Sequence, residues 1–471
     1  MTAAHIQRLT YLVTDYLMLN IGWLCFNVLR YFSLPVPLQF GLGNWLATPA
    51  PLLGQLLVPL MMMAVYWLTG YYNQVYYKSR LAELGNTAAV SFAGMLVIYF
   101  AVLIDDGIPE RMQNYELLGL LWLMLFVPVF VARSVITNRV IGSIRRGELA
   151  FNVLVVGDDE QAMSLASRVD SFLSHMGMKV VGYVASGSGH VRQQAFDRPV
   201  YRFDELPRLI SELRVTAFIV QPQKGGERST IDTVNRLFPL GQTIYITSDV
   251  QHLLMSGGRM ESLVGEPLIN VSSARITPFT ANFKRMADVV VASLALLLLL
   301  PMYAIIALLI KRDSKGPVFY RQERVGYRKK PFRIIKFRTM RPDAERSGPA
   351  LSEADDPRVT PLGRRLRKYR LDELPQFWNV LRGDMSLVGP RPERAYYVDL
   401  IVARAPYYSL VHQVRPGITS LGMVKYGYAS NVEQMVQRLR YDLLYIENIS
   451  ITTDLKILIH TVTTVVTGRG I

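Results

Sequence analysis

Residues 284–312 read K-R-M-A-D-V-V-V-A-S-L-A-L-L-L-L-L-P-M-Y-A-I-I-A-L-L-I-K-R. The apolar run from Val289 to Ile310 has the length that crosses a bilayer. Pro301 stands in its middle, where it removes a backbone hydrogen bond and kinks a helix. Lys284 and Arg285 precede the run, and Lys311 and Arg312 follow it. Positive charge at both ends gives no preferred direction of crossing. A helix, break and helix over 286–311 that enters and leaves on the cytosolic face satisfies both facts. The alternative is an ordinary kinked span, which carries the rest of the chain to the other side.

Outward from this stretch, the N-terminal part holds four apolar segments, roughly 9–31, 51–73, 87–104 and 115–134. The first lacks a small-residue cleavage site and precedes further spans, so it reads as a retained helix. Lys78 and Arg80 lie between the second and third segments, and Arg133, Arg139, Arg145 and Arg146 come at or after the end of the fourth. The loop between the third and fourth carries Asp105, Asp106, Glu110 and Arg111. The positive-inside tendency therefore places both ends of this region, 1–146, in the cytosol. A transporter needs ionisable residues along a pathway, and these segments read as nearly free of them.

At 471 residues the chain accommodates two or three domains, with half its residues apolar and a formal net charge of +15. That pairing suits a membrane protein with a large cytosolic part. The basic region lacks the interleaved aromatics of a single-strand nucleic-acid groove, so nucleic acid is not an expected partner. Cys25 is the only cysteine, which excludes an intrachain disulfide and agrees with a reducing cytosol.

Between 147 and 250 the pattern changes to an α/β domain. Phe151–Val156, Lys179–Val184, Ala217–Gln221 and Thr243–Thr247 read as buried strands with helical patterns between them. The first turn, Gly157-Asp158-Asp159-Glu160, keeps one glycine of a dinucleotide loop and puts acids where a pyrophosphate needs bare N–H groups. A structural or regulatory Rossmann-like module is the expectation. Residues 251–281 read as a linker, and 282–471 as the third part. Residues 311–346 carry 13 Lys/Arg against 4 Asp/Glu, which attracts anionic headgroups. Within them Lys336 alternates with apolar neighbours and is expected to point inward, toward a phosphate. Tyr396, Tyr397, Tyr407 and Tyr408 mark amphipathic stretches suited to the bilayer interface.

The chemistry concentrates in Arg367–Arg394, R-K-Y-R-L-D-E-L-P-Q-F-W-N-V-L-R-G-D-M-S-L-V-G-P-R-P-E-R. Asp372 and Glu373 sit among Arg367, Arg370, Arg382, Arg391 and Arg394. Adjacent residues on a helix point about 100° apart, so the two acids divide the work. One can attack phosphorus, a known mode of covalent catalysis, while the other orients a metal or a loop. Mg²⁺ with a carboxylate is the usual partner of a diphosphate, and arginine supplies bidentate donors to the same oxygens. Pro375 suits the first turn of a following helix, for which Asp372 would otherwise be only a cap.

These residues resemble the bacterial sugar transferases, the monotopic phosphoglycosyl transferases. The matching motifs are Lys284-Arg285 with Asp288, the proline-broken helix, G-P-V-F-Y-R-Q at 316–322, K-F-R-T-M at 336–340, L-D-E-L-P-Q at 371–376, G-D-M-S-L-V-G-P-R-P at 383–392, R-P-G-I-T at 415–419 and D-L-K-I at 454–457. Four spans and a Rossmann-like module ahead of them resemble the long subgroup, the polyisoprenyl-phosphate hexose-1-phosphate transferases. The fold so implied has three parts: a four-span membrane bundle, an α/β Rossmann-like cytosolic domain, and a mostly helical monotopic catalytic domain with a proline-broken re-entrant helix. The setting implied is the bacterial inner membrane, with the soluble domains cytosolic.

The resemblance implies that Asp372 attacks the β-phosphate of a UDP-hexose, glucose or galactose first, releasing UMP. Undecaprenyl phosphate then takes the sugar-phosphate, the first membrane step of capsular, exopolysaccharide or O-antigen synthesis. By the same resemblance Glu373, with Asp372, holds Mg²⁺; Arg367 and Arg391 bind phosphates; Lys284 and Asp454 tie the re-entrant helix to the globular part. A homodimer is expected for the subgroup. Leu300 departs from the family, where Ser often precedes the kink proline, and leaves the kink to Pro301. The alternatives are the same reaction on an N-acetylated or deoxy amino sugar, and a catalytically silent membrane scaffold that senses a nucleotide.

Overall fold

The computed structural model describes residues 3–33, 41–73, 80–103, 111–157, 160–173, 177–185, 197–221, 227–247, 268–341 apart from 273 and 275, 344, and 356–467. The chain divides into two compact units: Met1–Leu149 with Ala281–Phe283, and Ala150–Thr280 with Lys284–Ile471.

The first unit is helical: α1 (Ala3–Ser33), α2 (Pro49–Leu68), α3 (Arg80–Ile98) and α4 (Arg111–Arg145). His5–Phe32, Pro49–Leu68, Glu83–Ala101 and Tyr115–Arg145 are long and apolar enough to cross a membrane. Its helices approach closely at Gly22, where an added Cβ would lie 2.1 Å from the Met124 carbonyl oxygen. The expectation of spans nearly free of ionisable groups does not hold. Asp15, Glu83 and Arg133 are buried together. The Arg133 Nε and Nη2 donate to Asp15 at 2.8 and 2.5 Å, its Nη1 donates to Thr87 at 3.1 Å, and Tyr72 donates to Asp15 at 2.7 Å. The Arg133 guanidinium lies 3.8 Å and 3.6 Å from the ring centres of Tyr66 and Tyr71, and the Tyr71 hydroxyl donates to Glu83. Isolated acids and bases in the sequence thus become a closed interhelical network, which lowers the cost of keeping charge away from water.

The second unit begins with a six-stranded sheet in the order β3-β2-β1-β4-β5-β6. Its strands are β1 (Phe151–Val156), β2 (Met178–Val184), β3 (Val200–Tyr201), β4 (Val215–Val220), β5 (Thr243–Thr247) and β6 (Leu268–Asn270), with helices α5 (Glu160–Leu173), α6 (Leu206–Glu212) and α7 (Glu227–Leu237) between them. The first five are parallel and β6 is antiparallel to β5. Parallel strands carry apolar side chains on both faces, and Val153 and Val155 join one core while Leu154 and Val156 join another. Leu268–Asn270, within the stretch that reads as a linker, is an edge strand too short to show a period. The acids Asp158 and Asp159 of the first turn lie outside the described residues.

Beyond the sheet come α8 (Pro278–Leu298) and α9 (Leu300–Asp313), bent by 60° where they meet at Leu299. Pro301 occupies the first turn of α9, where its missing N–H is not needed. Leu297, Leu298 and Leu300 around the bend are exposed. An antiparallel hairpin follows, β7 (Phe319–Val325) and β8 (Pro331–Phe337), pairing Tyr320 with Lys336, Gln322 with Ile334 and Arg324 with Phe332. Its turn places Arg328 and Lys329 at positive φ, and their side chains donate to the Gly241 and Asn235 carbonyls of the α/β part at 2.9 and 3.2 Å. The rest is α10 (Pro361–Lys368), α11 (Gln376–Arg382), β9 (Ser386–Val388), α12 (Ala395–Arg404), β10 (Gly417–Thr419), α13 (Leu421–Lys425), α14 (Val432–Glu447) and α15 (Ile451–Val466). Short β9 and β10 pair in parallel, and Gly389 lets the strands touch: a Cβ there would lie 2.3 Å from the Arg415 carbonyl oxygen.

Candidate active site

A cavity of about 430 Å³ opens in the second unit, walled by the β7–β8 hairpin, the turn before α11 and the α13–α14 corner. Asp372, Glu373, Lys336, Arg367, Arg370 and Arg391 all line it. Arg394 lines it too; Arg382 is not among its walls and pairs with Asp384 at 3.0 Å on an exposed surface.

The dyad sits on a single 3-10 turn, Leu371–Glu373, rather than within the α-helix. Pro375 is the N-cap residue of α11, not a residue of its first turn. The turn starts from Arg370 in the left-handed region (φ 51°, ψ 24°), a conformation that costs a non-glycine residue of order 1 kcal/mol. That sharp reversal carries both acids into the cavity, and both are buried. Asn379, fully buried on α11, donates to the Arg333 carbonyl at 2.8 Å and accepts from the Ile335 N–H at 3.1 Å. It locks α11 to β8 and so fixes Lys336 opposite the turn.

The two carboxylates differ sharply. Glu373 receives Lys336 at 2.7 Å, Arg370 at 3.4 Å and Arg391 at 3.6 Å. Burial opposes its charge, but Lys336, Arg391 and Arg370 outweigh burial and hold its carboxyl well below the usual range. Asp372 has no hydrogen-bond or ion-pair partner among the described residues. Burial pushes it up to about 6, with Glu373 adding to the rise and Lys336, Arg367 and Arg370 restraining it. It caps no helix. Burial likewise lowers Lys336 from the ordinary lysine value.

Arg367 donates through Nε to Thr339 at 3.0 Å, which holds it at the cavity wall. Four cations, Lys336, Arg367, Arg370 and Arg391, thus face two carboxylates, a surplus suited to a multiply charged phosphate. Lys284 and Asp454 form a part-buried ion pair between α8 and α15, and Tyr445 donates to the same carboxylate at 2.7 Å. A Mg²⁺ ion needs only one or two protein carboxylates, its other ligands being phosphates and water. The donor set fits: Asp372 is unpartnered, and Oε2 of Glu373 has only Arg370, at 3.4 Å. No group of three or more His, Cys, Asp or Glu that could cage a metal occurs among the described residues.

Residues 279–468 match the family model described as bacterial sugar transferase. Over 194 residues the chain is 43% identical to the UDP-N-acetylgalactosamine-undecaprenyl-phosphate N-acetylgalactosaminephosphotransferase of Aeromonas hydrophila, covering 41% of this chain and 46% of that protein. It is 35% identical over 293 residues to the UDP-glucose:undecaprenyl-phosphate glucose-1-phosphate transferase of Klebsiella pneumoniae, covering 61% and 62%. A protein of the same name from Caulobacter vibrioides is 46% identical over 188 residues, 39% of this chain and 70% of that one. The chain belongs to the bacterial sugar transferase family.

The chain spans 46% and 62% of the first two of these relatives. A Rex-family repressor of known structure shares 13% identity, with a TM-score of 0.19, over 36% of this chain and 81% of its own, a likeness that carries no argument about function. In this family member several residues that shape the cavity leave no trace in the sequence motifs. The left-handed Arg370 shows nothing at the level of residue type, and Asn379, Glu393 and Arg438 act through partners 44 to 46 positions away.

Proposed function

We propose that the protein transfers hexose-1-phosphate from a UDP-hexose to undecaprenyl phosphate and releases UMP. The observation that carries this reading is the asymmetry of the dyad: Glu373 is neutralised by three cations, while Asp372 is buried and unpartnered. A carboxylate with no partner is the one free to attack. In the first step an Asp372 oxygen bonds to the β-phosphorus and the bond from phosphorus to the bridging oxygen breaks. UMP leaves with that oxygen and its electron pair, and the sugar-phosphate stays on Asp372 as an acyl phosphate. In the second step an oxygen of undecaprenyl phosphate attacks the same phosphorus, the bond to Asp372 breaks, and the free carboxylate returns. Arg367 and Arg391 hold the phosphates, and Lys336 keeps Glu373 ionised. Mg²⁺, held by Glu373 and Asp372, would supply charge neutralisation to the diphosphate.

In the same reading the α8–α9 pair is re-entrant. Its bend of 60°, its exposed leucines and the basic residues at both ends support entry and exit on one face of the inner membrane. The α/β part is a Rossmann-like cytosolic module of 147–250, followed by the linker 251–281 and the catalytic domain 282–471, and a homodimer is the working assembly. The product starts a capsular, exopolysaccharide or O-antigen repeat. The test is UMP release from a panel of UDP-sugars with undecaprenyl phosphate and Mg²⁺, followed by intact-mass detection of a sugar-phosphate adduct. An adduct on wild type but not on Asp372→Asn is expected; turnover retained in that variant would remove Asp372 as nucleophile.

A further inference from the structure

The β7–β8 hairpin runs along the cavity like a ruler. Side chains at directly paired positions of an antiparallel pair lie on one face, so Tyr320, Gln322 and Arg324 share a face with Lys336, Ile334 and Phe332. Lys336 marks the dyad at one end through its bond to Glu373. Arg324, four residues along from the position opposite Lys336, lies about 13 Å away at the other end. There it meets Glu393 at 3.4 Å, and Arg438 donates to Glu393 at 2.6 Å.

That far end carries hydrogen-bonding capacity the protein does not use. The Arg324 Nε is buried without a partner. Oε1 of Glu393 is taken by Arg438, whereas Oε2 has only the long contact to Arg324, so lone pairs remain on it. Tyr428 also lines the cavity, and its hydroxyl makes no hydrogen bond among the described residues. Beside these polar groups stand Met423 and Met435, with the Met423 sulfur 3.8 Å from Arg438 Nη1. The wall is rigid at that point: Asp442 accepts the Gly422 N–H at 3.1 Å, and a Cβ on Gly422 would lie 2.7 Å from the Arg438 side chain.

We infer that this far end, formed by Arg324, Glu393, Tyr428, Met423 and Met435, is the subsite for the hexose ring, and that Tyr428 is a specificity-determining residue. A sugar offers hydroxyls that donate and accept on its edge and C–H groups on its face. An acceptor carboxylate, an unsatisfied guanidinium N–H, a free phenol and thioether walls match that chemistry. The opposite end, where Phe319 stacks on Phe337 at 5.4 Å, is aromatic and basic: Arg338, Arg341 and Arg358 line the cavity, and Glu393 is its only described lining carboxylate outside the dyad. The sugar is bonded to the phosphorus that Asp372 would attack, so its ring must lie in the same cavity as the dyad, which Arg324, Glu393 and Tyr428 also line. This inference rests on the reaction proposed above.

The test uses the full chain in detergent with Mg²⁺. Affinities for UDP-glucose, UDP-N-acetylgalactosamine and UMP are measured by calorimetry on wild type and Tyr428→Phe, alongside kcat/KM for UMP release. Loss of one hydroxyl contact is expected to weaken one or both UDP-sugars roughly three- to tenfold and to change their ratio. UMP affinity stays unchanged, which also reports that the variant is folded. Equal weakening of UMP would place the nucleoside there and overturn the inference, as would no change in any ligand. Sugar-selective loss of binding without turnover in wild type sinks the reaction and leaves the subsite standing; no binding of either UDP-sugar sinks both.

Discussion

Replacing Asp372 by asparagine should abolish UMP release and make the protein more stable. Burial pushes the Asp372 carboxyl up to about 6 from 3.8, because the loss of water outweighs what Lys336, Arg367 and Arg370 give back. A difference of about two pH units corresponds to about 3 kcal/mol, which the folded state loses by keeping Asp372 ionised at neutral pH. The sign follows from the raised value. The penalty is fully present above about pH 6, and it is relieved as the group protonates between about 6 and 4. Asparagine keeps the shape and removes the charge. Its amide gains less from Lys336 and the nearby arginines than a carboxylate does, so about 3 kcal/mol is a ceiling. For a domain of this size each kcal/mol raises the melting temperature by about 2–4 °C. Thermal melts of wild type and Asp372→Asn at pH 7.5 and 5 provide the assay. The variant should melt several degrees higher at pH 7.5, and the gap should narrow at pH 5. An equal or lower melting temperature at pH 7.5, or a gap that widens on acidification, would refute the claim that Asp372 is held ionised against its environment.

The same carboxyl predicts an acid limb in catalysis: kcat/KM for UMP release is level above pH 7 and falls toward tenfold per pH unit below about 6. In Lys336→Met that limb moves to higher pH, because the cation that most restrains Asp372 is gone; a limb that stays in place argues against the assignment. Glu373→Gln leaves Lys336, Arg370 and Arg391 without their shared counter-charge and should destabilise the protein by about 3 kcal/mol or more, read as a lower melting temperature. Asp454→Ala leaves Lys284 and the Tyr445 hydroxyl without their acceptor and should cost about 1–3 kcal/mol by the same measure. In the helical unit, Arg133→Met strands Asp15 and should cost about 3–5 kcal/mol, part of which the double variant with Asp15→Asn restores.

The apolar helices of spanning length, the order of the parallel strands and the residues that line the cavity were legible because each rests on a local signal. An apolar run of spanning length, a buried strand between turn residues and an acid pair among arginines are all properties of contiguous residues. Lys336 was readable as inward-pointing for the same reason, since strand alternation is local. The edge strand Leu268–Asn270 was not, being too short for a period to register. Nor was the Asp15–Arg133–Glu83 network, whose members look like stray charges until three helices bring them together.

What the sequence by itself determined was therefore the parts: apolar helices of spanning length, a broken helix, a sheet and an acidic pair in basic surroundings. Only the tertiary structure decided which acid is free. Asp372 and Glu373 are neighbours of nearly identical chemistry, and no local rule separates them. The left-handed turn at Arg370 and the placement of Lys336 and Arg391 across the cavity give Glu373 three ion-pair partners and leave Asp372 without one among the described residues. The contacts that make this difference come from three separate elements, and coulombic energy depends on distance in space rather than along the chain.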